Sequence, residues 1–469
     1  MPTQLRPSSI LFFFLIVVSG CAARAPESSA PKARNVILLI GDGMGFSELA
    51  LARLASVGPG GKLHMDHPPY LTAMTTHALD KVVTDSAASG VAMASGEKTN
   101  NHSIGVDPDG KPLSTVLEEA KASGKSTGLV STSRITDATP AVFAAHLNVP
   151  REAIGARWEN DVPASYLKTG VDVMLGGGLR HWIPKSTSGS ARADESDHLA
   201  AASKSGYRVA RSRDELTAIE ATSTTKVLGL FTPSYMSFEI DRDAKREPSL
   251  AEMTAKSLEI LGRNPNGFFL MVEAGLIDVA AHAWDGATLV REVIALDAAV
   301  KVAFDYAQRR NDTLVLVTAD HAAGGLSIPE PINLKTLAAA KSSIAAMIRR
   351  LKPGMANLRE ILRDQAGIDI SDAEIESIRN PKGAHVGGVT HKALQSVIGR
   401  GGWEIAAMIA HRAGLNWNSS DIHGRSEKTY GHEGSPVPLY GYGPGAEQVR
   451  GLLDNTDVAR IIRKAYGMN

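Results

Sequence analysis

The residues of this chain that could do chemistry are acids and histidines standing at the ends of apolar runs. Asn35 to Ile40 leads into Gly41-Asp42-Gly43-Met44-Gly45, Gly267 to Val272 leads into Glu273, and Thr313 to Ala319 leads into Asp320-His321. Such continuous apolar runs read as parallel strands buried on both faces. The carboxyl ends of those strands are where open α/β sheets place ligands. A core strand ending in adjacent aspartate and histidine is hard to explain by packing, although Asp42 alone reads equally as a turn residue. Asp278 and His282 follow Glu273 at i, i+4 spacing, which on a helix puts both on one face, within reach of one cation. An isolated pair of that kind is ordinarily a solvated helix pair. Asp137 and Thr139, in Arg134-Ile135-Thr136-Asp137-Ala138-Thr139-Pro140, read by themselves as caps of a helix expected through His146. His432 stands in Tyr430-Gly431-His432-Glu433-Gly434, just before a last strand beginning at Val437.

Ser86, in Thr84-Asp85-Ser86-Ala87-Ala88-Ser89-Gly90, opens an alanine-rich run that reads as the first turn of a helix. A serine there is ordinarily an N-cap. Free N–H groups and the positive end of the dipole also make that place suitable for holding a phosphoryl group, so Ser86 is the candidate nucleophile. Gathered on one sheet edge, Asp42, Asp137, Thr139, Glu273, Asp278, Asp320 and the histidines would repel or desolvate one another by several kcal/mol unless protonated or bound to cations. Histidine with carboxylate suits zinc, and carboxylate with hydroxyl and water suits magnesium. Residue types alone do not fix how many ions there are.

The elements that must position these groups alternate strand and helix patterns, which predicts an α/β fold with a central, mostly parallel sheet flanked by helices on both faces. Ser126–Ser131, Val171–Gly178 and Lys226–Phe231 supply further strands, and Ser186–Ser196 reads as a surface loop. From about 328 to 417 a mainly helical insertion or cap is expected. There Ile344, Ile348 and Leu351 share one helical face, Arg349 and Arg350 lie on the far side, and Pro353-Gly354 breaks the pattern before a second helix through Arg363.

The 469 residues carry 50 Lys plus Arg and 50 Asp plus Glu, so no global field favours nucleic acid or an anionic membrane. The one cysteine, Cys21, ends a short apolar N-terminal segment that reads as an export signal over residues 1–20. Val18-Ser19-Gly20-Cys21 resembles the bacterial lipoprotein box, which implies acylation of Cys21, a tether over 21–34, and a periplasmic or cell-surface protein held to the outer membrane. An ordinary cleaved signal near Ala23 is the alternative.

With these pieces in place, the chain from Asn35 to its C-terminus resembles the alkaline phosphatase family. Six motifs carry the likeness in the family's order: Gly41-Asp42-Gly43-Met44-Gly45, Thr84-Asp85-Ser86-Ala87-Ala88-Ser89, Asp137-Ala138-Thr139-Pro140, Val272-Glu273 through Asp278 to His282, Thr318-Ala319-Asp320-His321, and His432-Glu433-Gly434 before Val437-Pro438. It is weakest between Arg180 and Leu250 and across the insertion. The resemblance implies two zinc ions and one magnesium ion. Asp278, His282 and His432 would hold the first zinc; Asp42, Asp320 and His321 the second, beside Ser86. Magnesium would take Asp42, Thr139 and Glu273, with Asp137 reaching it directly or through water. It further implies hydrolysis of small phosphate monoesters through a phosphoserine on Ser86, for scavenging phosphate outside the cytoplasm. An arginine would clamp the phosphate: Arg151, or Arg157 in its place.

The chain also departs from the family's pattern. Val279 stands where many relatives carry lysine, histidine or tryptophan, Ala322 follows His321 in place of glutamate, and His423 competes with His432 as ligand. Three rivals stand beside the phosphomonoesterase. A phosphodiesterase or nucleotide pyrophosphatase of the same superfamily is disfavoured by the Thr139–Glu273 set, and a sulfatase by the absence of a Cys/Ser-x-Pro-x-Arg setting. A noncatalytic phosphate- or metal-binding lipoprotein is disfavoured by the complete ligand set. Whether two copies pair as a homodimer is not specified by the sequence.

Overall fold

The computed structural model describes residues 32–147, 158–380, 402–418 and 431–468. Cys21, Arg151, Arg157 and His423 lie outside the described residues. In chain order the strands are β1 (Asn35–Gly41), β2 (Tyr70–Thr75), β3 (Ser126–Arg134), β4 (Val173–Gly177), β5 (Arg208–Ala210), β6 (Val227–Leu230), β7 (Phe268–Ala274), β8 (Thr313–Thr318), β9 (Ala322–Ala323), β10 (His432–Glu433), β11 (Val437–Tyr442) and β12 (Leu452–Asp454). Ten of them form one sheet in the order β12-β2-β11-β8-β1-β7-β3-β4-β6-β5, and β9 pairs with β10 beside it. Within the ten, β11 alone runs against its neighbours. The α/β fold with a mostly parallel sheet is therefore observed.

The centre of the sheet is apolar through its whole thickness. Val36–Ile40, Phe268–Val272 and Leu314–Val317 are fully buried, as a strand covered by helices on both faces requires. Parallel register then does the positioning. Ile40 lies opposite both Thr318 and Glu273, and Glu273 opposite Ser131, so the carboxyl ends of β8, β1, β7 and β3 stand side by side.

Two short elements differ from the sequence reading. The segment after Asp137 is helical only over Ala138–Ala141 before passing into turns, so no helix reaches His146. In the insertion, the first helix spans Ile344–Arg349 and stops before Leu351, because a 3-10 turn over Pro353–Met355 follows closely; the second runs Leu358–Ala366. Helices of this region bury Ile344, Met347, Leu358, Leu362, Ile405 and Ile409 in a second apolar cluster. Trp284 of the main body meets Trp403 edge-on there, with ring centroids 4.9 Å apart. The 186–196 segment is a loop, yet Arg192 within it is buried, donating to the carbonyl of His181 at 3.0 Å.

Candidate metal centre and nucleophile

Ser86 is the first residue of the helix Ser86–Ser95, and the cap is Asp85, not the serine. Asp85 accepts from the Ala88 N–H at 2.9 Å and the His102 N–H at 2.7 Å, and pairs with His102 Nδ1 at 3.0 Å. Because the neighbouring aspartate satisfies the helix end, the serine hydroxyl is released from capping. Its Oγ lies 3.1 Å from His321 Nε2. Burial raises the Asp85 carboxyl, but the bonds and charge of His102 outweigh it and hold the group below its usual range.

Around that hydroxyl the strand ends converge. His321 Nε2 is 3.5 Å from Asp42 Oδ1 and 3.2 Å from Asp320 Oδ2. Asp320 Oδ1 is already occupied, accepting from the N–H groups of Gly43 at 3.0 Å and His321 at 2.9 Å. Asp278 Oδ1 is 3.1 Å from His282 Nε2 and 3.7 Å from His432 Nε2, the first of these distances following from the helix Leu276–His282. The antiparallel pairing of β10 with β9 sets His432 opposite Ala323, and its ring stacks on that of His321 at 3.6 Å. His432 Nδ1–H donates to the Thr84 carbonyl at 3.0 Å, a bond that assigns the tautomer and leaves Nε2 with its lone pair facing Asp278.

Two groups of ligand atoms result, each lying within 4.8 Å of one another: Asp278, His321 and His432, and Asp42, Asp320 and His321. His321 thus belongs to both groups, and His282 joins the first through Asp278. The magnesium residues expected from the sequence sit next to them but are differently engaged. Glu273 accepts from the hydroxyls of Ser131 at 2.5 Å and Ser133 at 3.3 Å. Both oxygens of Asp137 are committed, one to Arg134 Nη2 at 2.8 Å and the other to the Ala138 N–H at 3.0 Å. Arg134 is itself buried, reaches Glu159 at 2.7 Å and lies over the ring of Tyr235. Neither Arg134 nor His102 stands out in the sequence. The i, i+3 spacing of Arg134 and Asp137 is the available signal, and His102 offers none, since its partner Asp85 stands at the far end of the helix Ser86–Ser95.

The donor set fits divalent cations. Buried Asp42 Oδ1, Thr139 Oγ1 and Asp320 Oδ2 lack a well-formed hydrogen bond. Burial, reinforced by the charges of Asp320, Asp278 and Glu273, pushes Asp42 well above the carboxylate range. Burial likewise lifts Asp320 to about 6 and Glu273 to about 8. Asp278 goes the other way: burial raises it, but His282, His432 and His321 hold it below its usual value. Burial also drives the imidazoles of His321 and His432 down, to about 4 and about 3, so both are neutral and able to ligate. Carboxyls packed this closely beside neutral imidazoles form a donor set that suits divalent cations.

Comparison with known proteins agrees with this geometry. Residues 33–468 match the family model described as alkaline phosphatase. The chain is 34% identical to alkaline phosphatase 4 of Bacillus subtilis over 94% of its own length and 90% of the relative's. Among solved structures it is similar to the alkaline phosphatase of Thermus thermophilus, with a TM-score of 0.78, 29% identity and coverage of 97% and 96% of the two chains. It is also similar to the cold-active enzyme of a psychrophilic Shewanella, with a TM-score of 0.76, 28% identity and coverage of 92% and 99%. The chain belongs to the alkaline phosphatase family of metal-dependent phosphomonoesterases.

Proposed function

We propose that Ser86 is the nucleophile of a double-displacement hydrolysis of phosphate monoesters. The Oγ attacks phosphorus in line, the ester oxygen departs with a proton as the alcohol, and a phosphoserine forms. Water then attacks that phosphorus from the side the alcohol left, releasing inorganic phosphate and restoring the hydroxyl. The single observation carrying this reading is the Ser86 Oγ standing 3.1 Å from His321 Nε2, amid buried oxygens that lack donors.

The chain's own contribution is placement. The helix Ser86–Ser95 directs its N-terminal N–H groups toward the transferred phosphoryl oxygens. Asp278, His282 and His432 would hold one zinc, and Asp42, Asp320 and His321 a second. Glu273, Thr139 and Asp42 would hold magnesium, with Asp137 acting through water because both its oxygens are engaged. When bound, these ions lower the pKa of an attacking oxygen and take up charge on the leaving one. Arg151, with Arg157 as the alternative, supplies the fork that binds two nonbridging oxygens.

Ser86→Ala is expected to lose nearly all turnover of a phosphomonoester while zinc and magnesium content, measured by mass spectrometry, stays at the parent level. Parent-like turnover in that variant would overturn the assignment. The lipoprotein-box likeness supports export and acylation of Cys21, and with them a role in scavenging phosphate outside the cytoplasm. A radiolabelled fatty acid incorporated by the parent and not by Cys21→Ser is the expected outcome.

A further inference from the structure

Between the segment that follows β6 and the helical insertion lies a cleft that none of the steps above uses. Its walls include Tyr235, Met236, Phe238, Val279, Ala345 and Arg349, and its volume is about 270 Å³. Two of its wall residues connect it to the candidate site. Val279 directly follows the candidate ligand Asp278, and the Tyr235 ring lies 4.1 Å beneath Arg134, which reaches Asp137 at 2.8 Å.

The outer wall is held in place. Ser343 donates to both oxygens of Asp241, through its N–H at 3.0 Å and its hydroxyl at 2.5 Å, and the Ile344 N–H donates to Asp285 at 2.7 Å. These bonds fasten the start of the helix Ile344–Arg349 to the main body and engage the carboxylate of Asp241. Arg349, at the far end of that helix, makes no ion pair among the described residues and brings a cation to a wall that mixes the apolar Met236, Phe238 and Val279 with Ser237 and the already engaged carboxylate of Asp241. Whole small-molecule ligands fill roughly 300–1,000 Å³. A smaller space suits one part of a ligand.

We infer that this cleft receives the organic group of the substrate and selects phosphomonoesters whose flat, apolar group carries a second anion, bound by Arg349. The inference rests on the phosphomonoester reading above and adds a substrate class to it. It also gives Val279 a role: a small apolar residue on this wall leaves the space open.

The test is steady-state kinetics of the metal-replete full chain on glycerol 3-phosphate, phenyl phosphate and 4-carboxyphenyl phosphate. The expected result is a KM for the carboxylated ester about three- to fivefold below that of phenyl phosphate, the range an exposed ion pair supplies. That advantage shrinks at high salt, disappears in Arg349→Gln and returns in Arg349→Lys, with kcat unchanged throughout. Phe238→Ala is expected to raise KM for both aryl esters and not for glycerol 3-phosphate. Equal KM values for the two aryl esters in the parent would overturn the inference. So would an equal rise for all three esters in Arg349→Gln, which would put Arg349 on the transferred phosphate instead. Failure of the parent to hydrolyse any of the three would overturn the phosphomonoester reading itself.

Discussion

Gly43 shows how closely single residues are held at the centre. Its φ is +71°, and a Cβ built there would lie 2.9 Å from the Asp278 Cα and 3.0 Å from its Oδ1. Gly43→Ala is therefore expected to lose about 2–3 kcal/mol of stability from the left-handed backbone and the collision. Metal content measured on the purified variant should fall with it, since Asp278 must move. Arg134 is a second such point. Its replacement by methionine leaves buried Glu159 and half-buried Asp137 without their cation, a change worth about 3 kcal/mol, to be read as a shift in denaturant midpoint. His146 gives a pH dependence removed from the metal centre. Its Nε2 meets Glu118 at 2.8 Å, and that bond raises the imidazole above its ordinary 6.5. Burial raises the Glu118 carboxyl, but His146 and Thr115 hold it below its ordinary 4.5. The histidine's contribution is complete below 6.5 and fades as pH rises through its raised folded value. The glutamate's is complete above 4.5 and fades as pH falls through its lowered one. The pair thus stabilises most between 4.5 and 6.5, and in His146→Gln the stability advantage over that window, measured by urea unfolding across pH, should vanish.

At the scale of elements, the helix Ser86–Ser95 depends on a cap one residue ahead of the proposed nucleophile. Asp85→Ala removes the bond to Ala88 and the tie to His102, and is expected to lower stability by about 1–2 kcal/mol. Turnover should drop as well, because the Ser86 hydroxyl then stands on a frayed turn; rates alongside thermal unfolding check both. The apolar runs of β1, β7 and β8 make those strands readable from local order alone, since an unbroken apolar run of that length has few alternatives. β2, β5 and β12 carry no such signal. Two of them have only three residues, and β2 exposes Leu71 and alternates weakly, so their strand character comes from the neighbours they pair with. The helix expected through His146 fails for a similar reason. Its start signal is sound, but after one turn the chain is drawn off into a bridge between Leu147 and Ile104.

For the whole molecule, the cluster ties the central strands, the helix Ser86–Ser95 and β10 to one another through their side chains, so cations bound there stabilise every one of those joints at once. Removing them with a chelator is expected to lower the thermal midpoint, and restoring zinc and magnesium to recover it, because ligands that bind only the folded state add stability by mass action. An unchanged midpoint after metal loss is verified would show that packing alone fixes the centre. The insertion contributes differently. Its described helices have their own apolar cluster, and the bonds from Ser343 to Asp241 and Ile344 to Asp285 fasten them to the main body.

Residue type and local order determined the chemistry: which acids and histidines end strands, which serine opens a helix, and that their gathering demands cations. Those features are legible because burial on both faces and helix-start rules act over a few neighbouring residues. Tertiary structure alone decided that His321 faces Ser86, Asp42 and Asp320 together, that His432 is turned by the Thr84 carbonyl, that Arg134 holds Asp137, and that Arg349 comes to line one cleft with Val279. Each of these joins positions far apart in the chain or sets a side-chain direction, and such geometry comes from sheet register and packing, which no local run of residues encodes.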